Sequence, residues 1–175
     1  TSGLDCLLLD QLALADGLEA VRCAVVHPCD IESLSGAMDA AAHGLIIPVL
    51  IGPEVRIRHL AQENDLDLSK AEIISVPHSH AAAQKAADLA ATGEVEIIMK
   101  GSLHTDELIH AVLARPELRT GRRMSHVFRF DVPLYDKPLP ITDAALNIQP
   151  TLAEKVDIIQ NAIDFARIMG VACPK

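Results

Sequence analysis

The amino-acid sequence predicts an α/β protein built on a parallel, doubly wound sheet, followed by the start of a second lobe. Between residues 22 and 118, short apolar runs alternate four times with segments of helical periodicity. Four βα units in succession predict parallel strands covered by helices. After residue 119, two strand-like stretches follow each other without a helix between them, which predicts a second layer or a second lobe.

The first two βα units occupy residues 22–65. The stretch "RCAVVHP" (22–28) predicts a strand, and the helix after it has Asp30 as its N-cap and Gly44 as its stop. The stretch "LIIPVLIG" (45–52) predicts the second strand, and "EVRIRHLAQEND" (54–65) the second helix. Both units have the strand, turn and helix order of a crossover connection.

The third and fourth βα units follow directly. The stretch "AEIISVP" (71–77) predicts a strand, and Ser79 is expected to cap the helix that Gly93 closes. The stretch "VEIIMKG" (95–101) predicts the fourth strand. The helix after it is predicted over residues 105–118, with acidic residues in its first turn.

The remaining residues predict two strands and one long helix. The strand-like stretches are "MSHVFRFDVP" (124–133) and "KPLPITDAAL" (137–146). The helix is predicted to begin at Thr151, which stands in capping-box spacing with an acidic residue, and to end at Gly170.

The closing stretch "VACPK" (171–175) is interpreted as the severed start of another strand. The predicted domains are therefore a first α/β lobe over residues 1–122 and a truncated second lobe over residues 123–175.

Composition limits the classes of partner. Half of the residues are hydrophobic, and the formal net charge is −9, which argues against binding to nucleic acid or to an anionic membrane. No apolar run approaches the roughly 20 uncharged residues of a membrane span. The start has neither a signal-peptide pattern nor a methionine, so we expect a cytoplasmic protein with upstream residues removed. The cysteines have no C-x-x-C spacing, and no metal site is expected.

The segment "KGSLHT" is the first candidate binding site. An apolar run ends at Lys100, and Gly101 and Ser102 lead to His104 and Thr105 at the start of the next helix. This arrangement offers a cation, two backbone amides and two hydroxyl groups at the end of a strand, where an anion is expected to bind. Alternatively, Lys100 is an ordinary lysine whose stem packs along the sheet.

A second candidate site is the basic cluster "RTGRR". Arg119, Arg122 and Arg123 precede the predicted lobe boundary, and guanidinium groups bind phosphates through paired hydrogen bonds. A basic loop is also commonly just solvated, and that alternative stays open.

Other polar residues are predicted near a cleft. His27 follows the first strand, on the edge where ligands are expected, and Asp143 and Asn147 either line the cleft or satisfy backbone groups at a turn. Cys29 as a nucleophile is disfavoured. His126, inside an apolar strand, is expected to be a hydrogen-bonded core histidine.

Four stretches together resemble the phosphate acetyltransferase and phosphate butyryltransferase family. They are "IIMKGSLHTDEL", "LRTGRRMSHVFRFDVP", "PITDAALNIQP" and "KVDIIQNAIDFARIMG". They stand in the family's order, and the resemblance runs from about residue 20 to residue 170. His110 stands where the acetyltransferase branch has an arginine, which favours the butyryltransferase-like branch.

The resemblance implies an isocitrate dehydrogenase-like fold of two lobes, usually assembled as a homodimer or a larger homo-oligomer. It implies an enzyme that interconverts acyl-CoA plus phosphate and acyl phosphate plus CoA. Coenzyme A is then a substrate, and no tightly bound cofactor is expected. The two candidate sites would hold phosphate and CoA. The family's catalytic aspartate and its Ser-Arg phosphate pair would lie beyond Lys175, so no catalytic residue is assigned and the chain is expected to be a truncated piece.

Two alternatives stay open on the sequence. A regulatory module of the same fold could bind CoA or another metabolite without turnover. A dehydrogenase of related fold is the other, but its arginine-rich substrate motif and its metal-binding aspartates are not recognisable, and no G-x-G-x-x-G loop is present.

Overall fold

The computed structural model describes residues 12–175, apart from residues 131, 133 and 136. Two compact units are present: one runs from Gly17 to Arg119, and the other contains the chain from Thr120 onwards. The first 11 residues of the predicted first lobe lie outside the described residues, as do residues 131 and 133 of a predicted strand. The predicted lobe boundary after residue 122 stays a prediction.

The unit Gly17–Arg119 is built on a four-stranded parallel sheet. Its strands are β1 (Val21–Val26), β2 (Ile46–Gly52), β3 (Glu72–Ser75) and β4 (Ile97–Lys100). Their spatial order is β3-β2-β1-β4, and every neighbouring pair is parallel. In the register, Val26 at the end of β1 lies beside Ile51 of β2 and Lys100 of β4.

Four helices cover the sheet in the alternation that the sequence predicts. They are α1 (Ile31–Ala42), α2 (Glu54–Glu63), α3 (Ser79–Ala91) and α4 (Thr105–Leu113), and α4 is followed by a 3₁₀ turn at Pro116–Leu118. The predicted fourth helix is therefore shorter than expected, because Pro116 supplies no backbone N–H and cannot continue an α-helix.

The central strand β1 is buried on both faces, and its alternate side chains belong to two separate cores. Cys23 and Val25 pack with residues of α1 and α2, whereas Ala24 and Val26 pack with residues of α3 and α4. Successive strand side chains point to opposite faces. The helices after β1 and β4 therefore lie on opposite faces. This confirms the doubly wound prediction and places a topological switch point between β1 and β4, where ligands bind in this class of sheet.

The ends of α1 follow local sequence rules, and the start of α3 does not. Asp30 caps α1 by accepting the Ser33 N–H at 2.8 Å, and Gly44 after the helix has a positive φ of 72°. The predicted cap of α3 is wrong: the side chain of His78, not Ser79, accepts the Ala81 N–H at 3.1 Å.

The chain from Thr120 onwards forms an antiparallel pair of strands and one helix. They are β5 (Val127–Phe130), β6 (Leu139–Thr142) and α5 (Leu152–Ile168). The predicted capping box is present, since the Thr151 side chain accepts the Glu154 N–H at 3.3 Å and the Glu154 carboxylate accepts the Thr151 N–H at 2.8 Å. Residues 171–175 contain no strand, so the interpretation of that stretch as a strand start is wrong for the chain as described.

No helix among the described residues is both long enough and apolar enough to span a membrane.

Candidate functional site

The loops after β1 and β4 are hydrogen-bonded to each other at the switch point. The Gly101 N–H donates to the Val26 carbonyl, and the Ser102 N–H donates to the His27 carbonyl, both at 2.9 Å. The parallel pairing of β1 with β4 therefore continues beyond the strand ends, and it holds the predicted "KGS" segment against the loop that begins at His27.

Gly101 is required by the closeness of these two loops. A Cβ atom at this position would lie 2.4 Å from the Val26 carbonyl oxygen and 2.8 Å from the His27 carbonyl oxygen. Both contacts are with backbone atoms, which cannot turn aside as a flexible side chain can. The glycine is thus explained by close backbone approach.

The same hydrogen bonds correct one prediction about this segment. The sequence predicts that the amides of Gly101 and Ser102 donate to an anion, but they donate to Val26 and His27 instead. What Lys100 and Ser102 offer to a ligand is therefore the ammonium group and the hydroxyl group. Lys100 is exposed at the end of β4, and its Nζ lies 3.4 Å from the Gly101 carbonyl oxygen.

Asp30 joins Lys100 and Ser102 at this site. The pKa of its carboxyl group is lowered mainly by the hydrogen bond from the Ser33 backbone N–H and then by the Ser33 side chain. The Ser102 hydroxyl and the charge of Lys100 lower this pKa further. Asp30 is therefore ionised at neutral pH, and an incoming anion would share Lys100 and Ser102 with a carboxylate. The sequence pattern predicts only a capping role for Asp30, although its place directly after the first strand is a usable signal for the site.

His27 lies beside the same loop. Its Nδ1 is 2.7 Å from the Ser102 carbonyl oxygen, and its φ of 54° is uncommon for a residue other than glycine. Of the predicted residues, the structure thus brings together His27, Lys100, Gly101 and Ser102.

The residues that begin α4 are next to this group but carry acidic neighbours. His104 occupies the N-cap position without a side-chain capping bond, and both His104 and Thr105 are exposed. Asp106 and Glu107 stand in the first turn, where their negative charges interact favourably with the helix dipole and would repel an added anion. Their position makes the start of α4 less favourable for phosphate than the sequence pattern suggests.

Arg119 is not brought to this loop. Its guanidinium group donates to the Leu113 carbonyl at 2.5 and 3.0 Å, at the opposite end of α4 from Thr105. A helix of nine residues is about 13 Å long. Arg119 therefore caps the carboxyl end of α4, as cations commonly do.

The other predicted arginines lie in the unit that continues from Thr120, each with an acidic partner there. Nη1 of Arg122 is 2.5 Å from Oδ2 of Asp164, and Nη1 of Arg123 is 3.3 Å from Oε1 of Glu154. All four side chains are partly exposed. The pairing fits a surface network as well as a ligand site.

Asp143 and Asn147 belong to one network with Arg123. Nε of Arg123 donates to Oδ1 of Asn147 at 2.7 Å, and the Asn147 amide donates to the Asp143 carboxylate. Asp143 also accepts the backbone N–H groups of Ala145 and Leu146, each at 3.1 Å. Burial is the largest single influence on the pKa of Asp143 and raises it. The hydrogen bonds together, first the one from Asn147, outweigh burial, so the pKa is lowered overall. Both residues thus organise a turn.

His126 differs from its prediction. Its Nδ1 is buried, yet it has no hydrogen-bond partner among the described residues, and its ring lies 3.9 Å from that of Phe128. It is therefore not the hydrogen-bonded core histidine that the sequence predicts.

Cys29 is a poor nucleophile. It is buried, and burial raises the pKa of its thiol in spite of the nearby Arg56 charge. A thiol of raised pKa carries little of the reactive thiolate at neutral pH.

Two cavities stand out in the described part of the chain. An open groove of about 360 Å³ lies at the carboxyl ends of β2 and β3, lined by Pro53, Glu54, Val55 and residues 75–77. A cavity of about 450 Å³ lies within the Thr120–Lys175 part and is lined by Tyr135, Phe165 and Met169 among others. None of the predicted site residues lines either one, so the candidate site rests on the hydrogen-bonded loops.

No group of three or more potential metal ligands occurs among the described residues. The fold and the site together define a class of protein: a doubly wound α/β protein with a lysine and a hydroxyl group at the switch point of its sheet.

Comparison with known proteins identifies the family. The family model described as "phosphate acetyl/butaryl transferase" matches residues 78–175. A phosphate acetyltransferase of Rhizobium meliloti is 54% identical over 168 residues, which cover 95% of this chain and 53% of that protein. A phosphate butyryltransferase of Clostridium acetobutylicum is 35% identical over 90% of this chain and 52% of that protein. The chain belongs to the phosphate acetyltransferase and butyryltransferase family.

Solved structures agree on the fold. A phosphotransacetylase from Streptococcus pyogenes superposes with a TM-score of 0.79 at 17% identity, over 97% of this chain and 60% of that one. A branched-chain phosphotransacylase from Enterococcus faecalis V583 gives a TM-score of 0.66 at 24% identity, over 84% and 51%. The chain spans about half the length of the curated relatives it matches. The identity is higher to the acetyltransferase than to the butyryltransferase, which differs from the branch that His110 favours. Because the matching family model includes both activities, the comparisons leave the acyl chain length open.

Proposed function

We propose that the protein to which this chain belongs transfers a short acyl group between CoA and inorganic phosphate. The reaction is acyl-CoA plus phosphate giving acyl phosphate plus CoA. Membership of the family supports the reaction class. The observation that carries the proposal to this chain is Lys100, which ends β4 at the switch point of the sheet and, like the Ser102 hydroxyl, lowers the pKa of the Asp30 carboxyl group.

The proposed chemistry needs charge compensation more than it needs a covalent intermediate. A phosphate oxygen attacks the thioester carbonyl carbon and forms a C–O bond, the C–S bond breaks, and the proton that the phosphate gives up goes to the leaving thiolate to make CoA. Lys100 would compensate the phosphate charge and the Ser102 hydroxyl would donate to a phosphate oxygen. Both groups already interact with the Asp30 carboxylate, whose pKa they lower, so a bound phosphate would compete with Asp30 for them.

The arginine cluster is proposed to contact the phosphates of CoA. Arg122 and Arg123 would then leave or share Asp164 and Glu154. Exposed ion pairs of this kind contribute little to stability, so the exchange is feasible. Arg119 is the least favoured of the three, because its guanidinium already caps α4.

The deciding experiment compares Lys100→Ala with Lys70→Ala in the full-length protein. Lys70 is exposed at the opposite edge of the sheet, just before β3, and serves as the matched control. Phosphate-dependent CoA release from acetyl-CoA and butyryl-CoA is followed with a thiol reagent. Loss of a charge-assisted contact costs about 2 kcal/mol, or about 30-fold in kcat/KM for phosphate.

Unchanged kinetics in Lys100→Ala would remove the proposed role of this residue. Binding of CoA by isothermal titration without any acyl transfer by the wild-type protein would favour the regulatory module instead. The two acyl-CoA substrates also compare acyl chain lengths in the same assay.

We further propose a cytoplasmic homodimer or larger homo-oligomer that needs no tightly bound cofactor. The family relationship supports this, and light scattering on the full-length protein together with cell fractionation tests it. A monomer in solution would contradict the oligomer.

A further inference from the structure

His27 is held in an unusual conformation where β1 ends. Its backbone φ is 54°, in the left-handed region where glycine is common and where asparagine, aspartate and histidine are enriched among other residues. Its N–H donates to the Ile51 carbonyl at 2.7 Å, and its carbonyl accepts the Cys29 N–H at 2.8 Å. These bonds fix the residue to β2 on one side and to the start of its own loop on the other.

The imidazole and the backbone of His27 are both hydrogen-bonded to Ser102. The His27 carbonyl accepts the Ser102 N–H at 2.9 Å, and His27 Nδ1 lies 2.7 Å from the Ser102 carbonyl oxygen. Because a carbonyl oxygen only accepts hydrogen bonds, Nδ1 must be the donor. Two hydrogen bonds in opposite directions therefore clamp Ser102 to His27.

The other ring nitrogen is not part of this clamp. Nε2 of His27 makes no hydrogen bond within the described part of the chain. Positioning through Nδ1 and direct action through Nε2 are thus separate properties of one side chain, and they can be tested separately.

We infer that His27 is a positioning residue for the proposed acyl transfer, and the inference rests on that proposed function. Its Nδ1–H fixes the Ser102 carbonyl, so the segment that carries Lys100 and Ser102 keeps one geometry when phosphate replaces the Asp30 carboxylate as the partner of these two residues. The need for such a clamp follows from Asp30, because the Ser102 hydroxyl and the Lys100 charge both lower the pKa of its carboxyl group and are attracted to it. A loop free to follow Asp30 would carry Lys100 out of place, and small displacements of binding groups lower rates steeply.

The test uses three substitutions in the full-length protein. His27→Asn places an amide N–H near the position of Nδ1 and tolerates the left-handed backbone. His27→Gln reaches the position of Nε2, and His27→Ala removes both nitrogens. His43→Ala is the matched control, because its Nδ1 also lies near a backbone carbonyl, that of Asp39 at 3.0 Å, but at the exposed end of α1.

The expected result is a specific rescue. The asparagine variant should keep kcat/KM for phosphate within about threefold of wild type, and the alanine and glutamine variants should lose about tenfold or more. The KM for CoA should change little, and the control should match wild type. Should the alanine variant fail to fold in a thermal melt, the asparagine and glutamine pair still decides the question.

Hydrogen exchange gives a readout that does not depend on activity. The peptide covering residues 100–104 should exchange faster in the alanine and glutamine variants than in wild type and the asparagine variant. If glutamine preserves activity and asparagine does not, Nε2 is the operative atom and the inference fails. It also fails if all three variants match wild type in exchange and in rate. If the wild-type protein shows no acyl transfer, the proposed function is wrong, and hydrogen exchange in the variants then tests only whether His27 holds Ser102 in place.

Discussion

Replacing Gly101 by alanine should destabilise the protein strongly, because the added methyl group has no room between two strand ends. The new Cβ atom would lie 2.4 Å from the Val26 carbonyl oxygen, well inside the 3.4 Å at which ordinary contact begins. The His27 carbonyl oxygen is also too close, at 2.8 Å. The ends of β1 and β4 must therefore move apart.

The cost can be built from the bonds that this movement would break. The Gly101–Val26 and Ser102–His27 hydrogen bonds are each worth about 1 kcal/mol, and overpacking strain adds about 1–3 kcal/mol. We therefore expect a loss of about 3–5 kcal/mol, a large part of the stability of an ordinary domain.

Gly36→Ala is the matched control because it adds the same methyl group in open space. Gly36 lies within α1, and a Cβ atom added there would meet no other part of the described chain within 4 Å. Alanine is favoured over glycine inside a helix, so this variant should gain about 0.5–1 kcal/mol. The two substitutions should thus change the free energy of unfolding in opposite directions.

Urea unfolding followed by far-ultraviolet circular dichroism measures both variants. The chain has no tryptophan and one tyrosine, and Tyr135 lies outside the Gly17–Arg119 unit, so fluorescence would miss the relevant strands. A Gly101→Ala variant within about 1 kcal/mol of wild type, below the lower bound of the expected strain, would refute the close approach of the two loops.

Three further results are expected from other sites. Asp30→Ala should lower the free energy of unfolding by about 0.5–2 kcal/mol at neutral pH, whereas Asp30→Asn should keep most of the capping contribution. Because the pKa of Asp30 is lowered in the folded state, the contribution of its charge is present above the unfolded pKa of about 3.9 and is lost as the pH falls through the folded pKa. Equal acid sensitivity of wild type and Asp30→Ala would contradict this. Arg122→Glu should raise the KM for CoA and change its salt dependence, and a change in thermal stability alone would make the arginine structural. Cys173 is exposed and should react with iodoacetamide in the native protein. Cys23 is buried, and burial raises the pKa of its thiol to about 11, so it should react only after unfolding. Peptide mass spectrometry distinguishes the two cysteines, and rapid labelling of Cys23 in the native protein would contradict its burial.

The sheet could be predicted from sequence because its signals are local. Each apolar run is bounded by turn residues, and the helix stops at Gly44, Gly93 and Gly170 all have positive φ in the structure. The error at the start of α3, by contrast, comes from a tertiary contact. The sequence offers His78 and Ser79 as competing caps, and the structure engages the Ser79 hydroxyl with Glu107 of α4 at 2.8 Å instead. That competing contact is tertiary and cannot be read from the segment itself.

The candidate site was predictable only in part for the same reason. That a lysine ends β4 follows from the sequence, and so does the flexible glycine after it. The partners of the Gly101 and Ser102 amides depend on which strand lies beside β4, and four parallel strands allow several orders. Once β1 is the neighbour, the amides are satisfied by Val26 and His27, and the glycine is needed for packing before it is needed for a ligand.

This dependence on the neighbour strand changes what a ligand site at the switch point must supply. In a loop whose amides point outward, an anion is bound largely by the backbone, and side chains refine the choice. Here the Gly101 and Ser102 amides are used to join the two loops, so under the proposed function recognition of phosphate at this loop would fall to the Lys100 ammonium group and the Ser102 hydroxyl group. Both of these groups also lower the pKa of the Asp30 carboxyl group. Affinity for phosphate should therefore depend on how firmly the loop is held against β1, so that substitution of His27 or Gly101, which are not proposed to contact the ligand, should also weaken phosphate use.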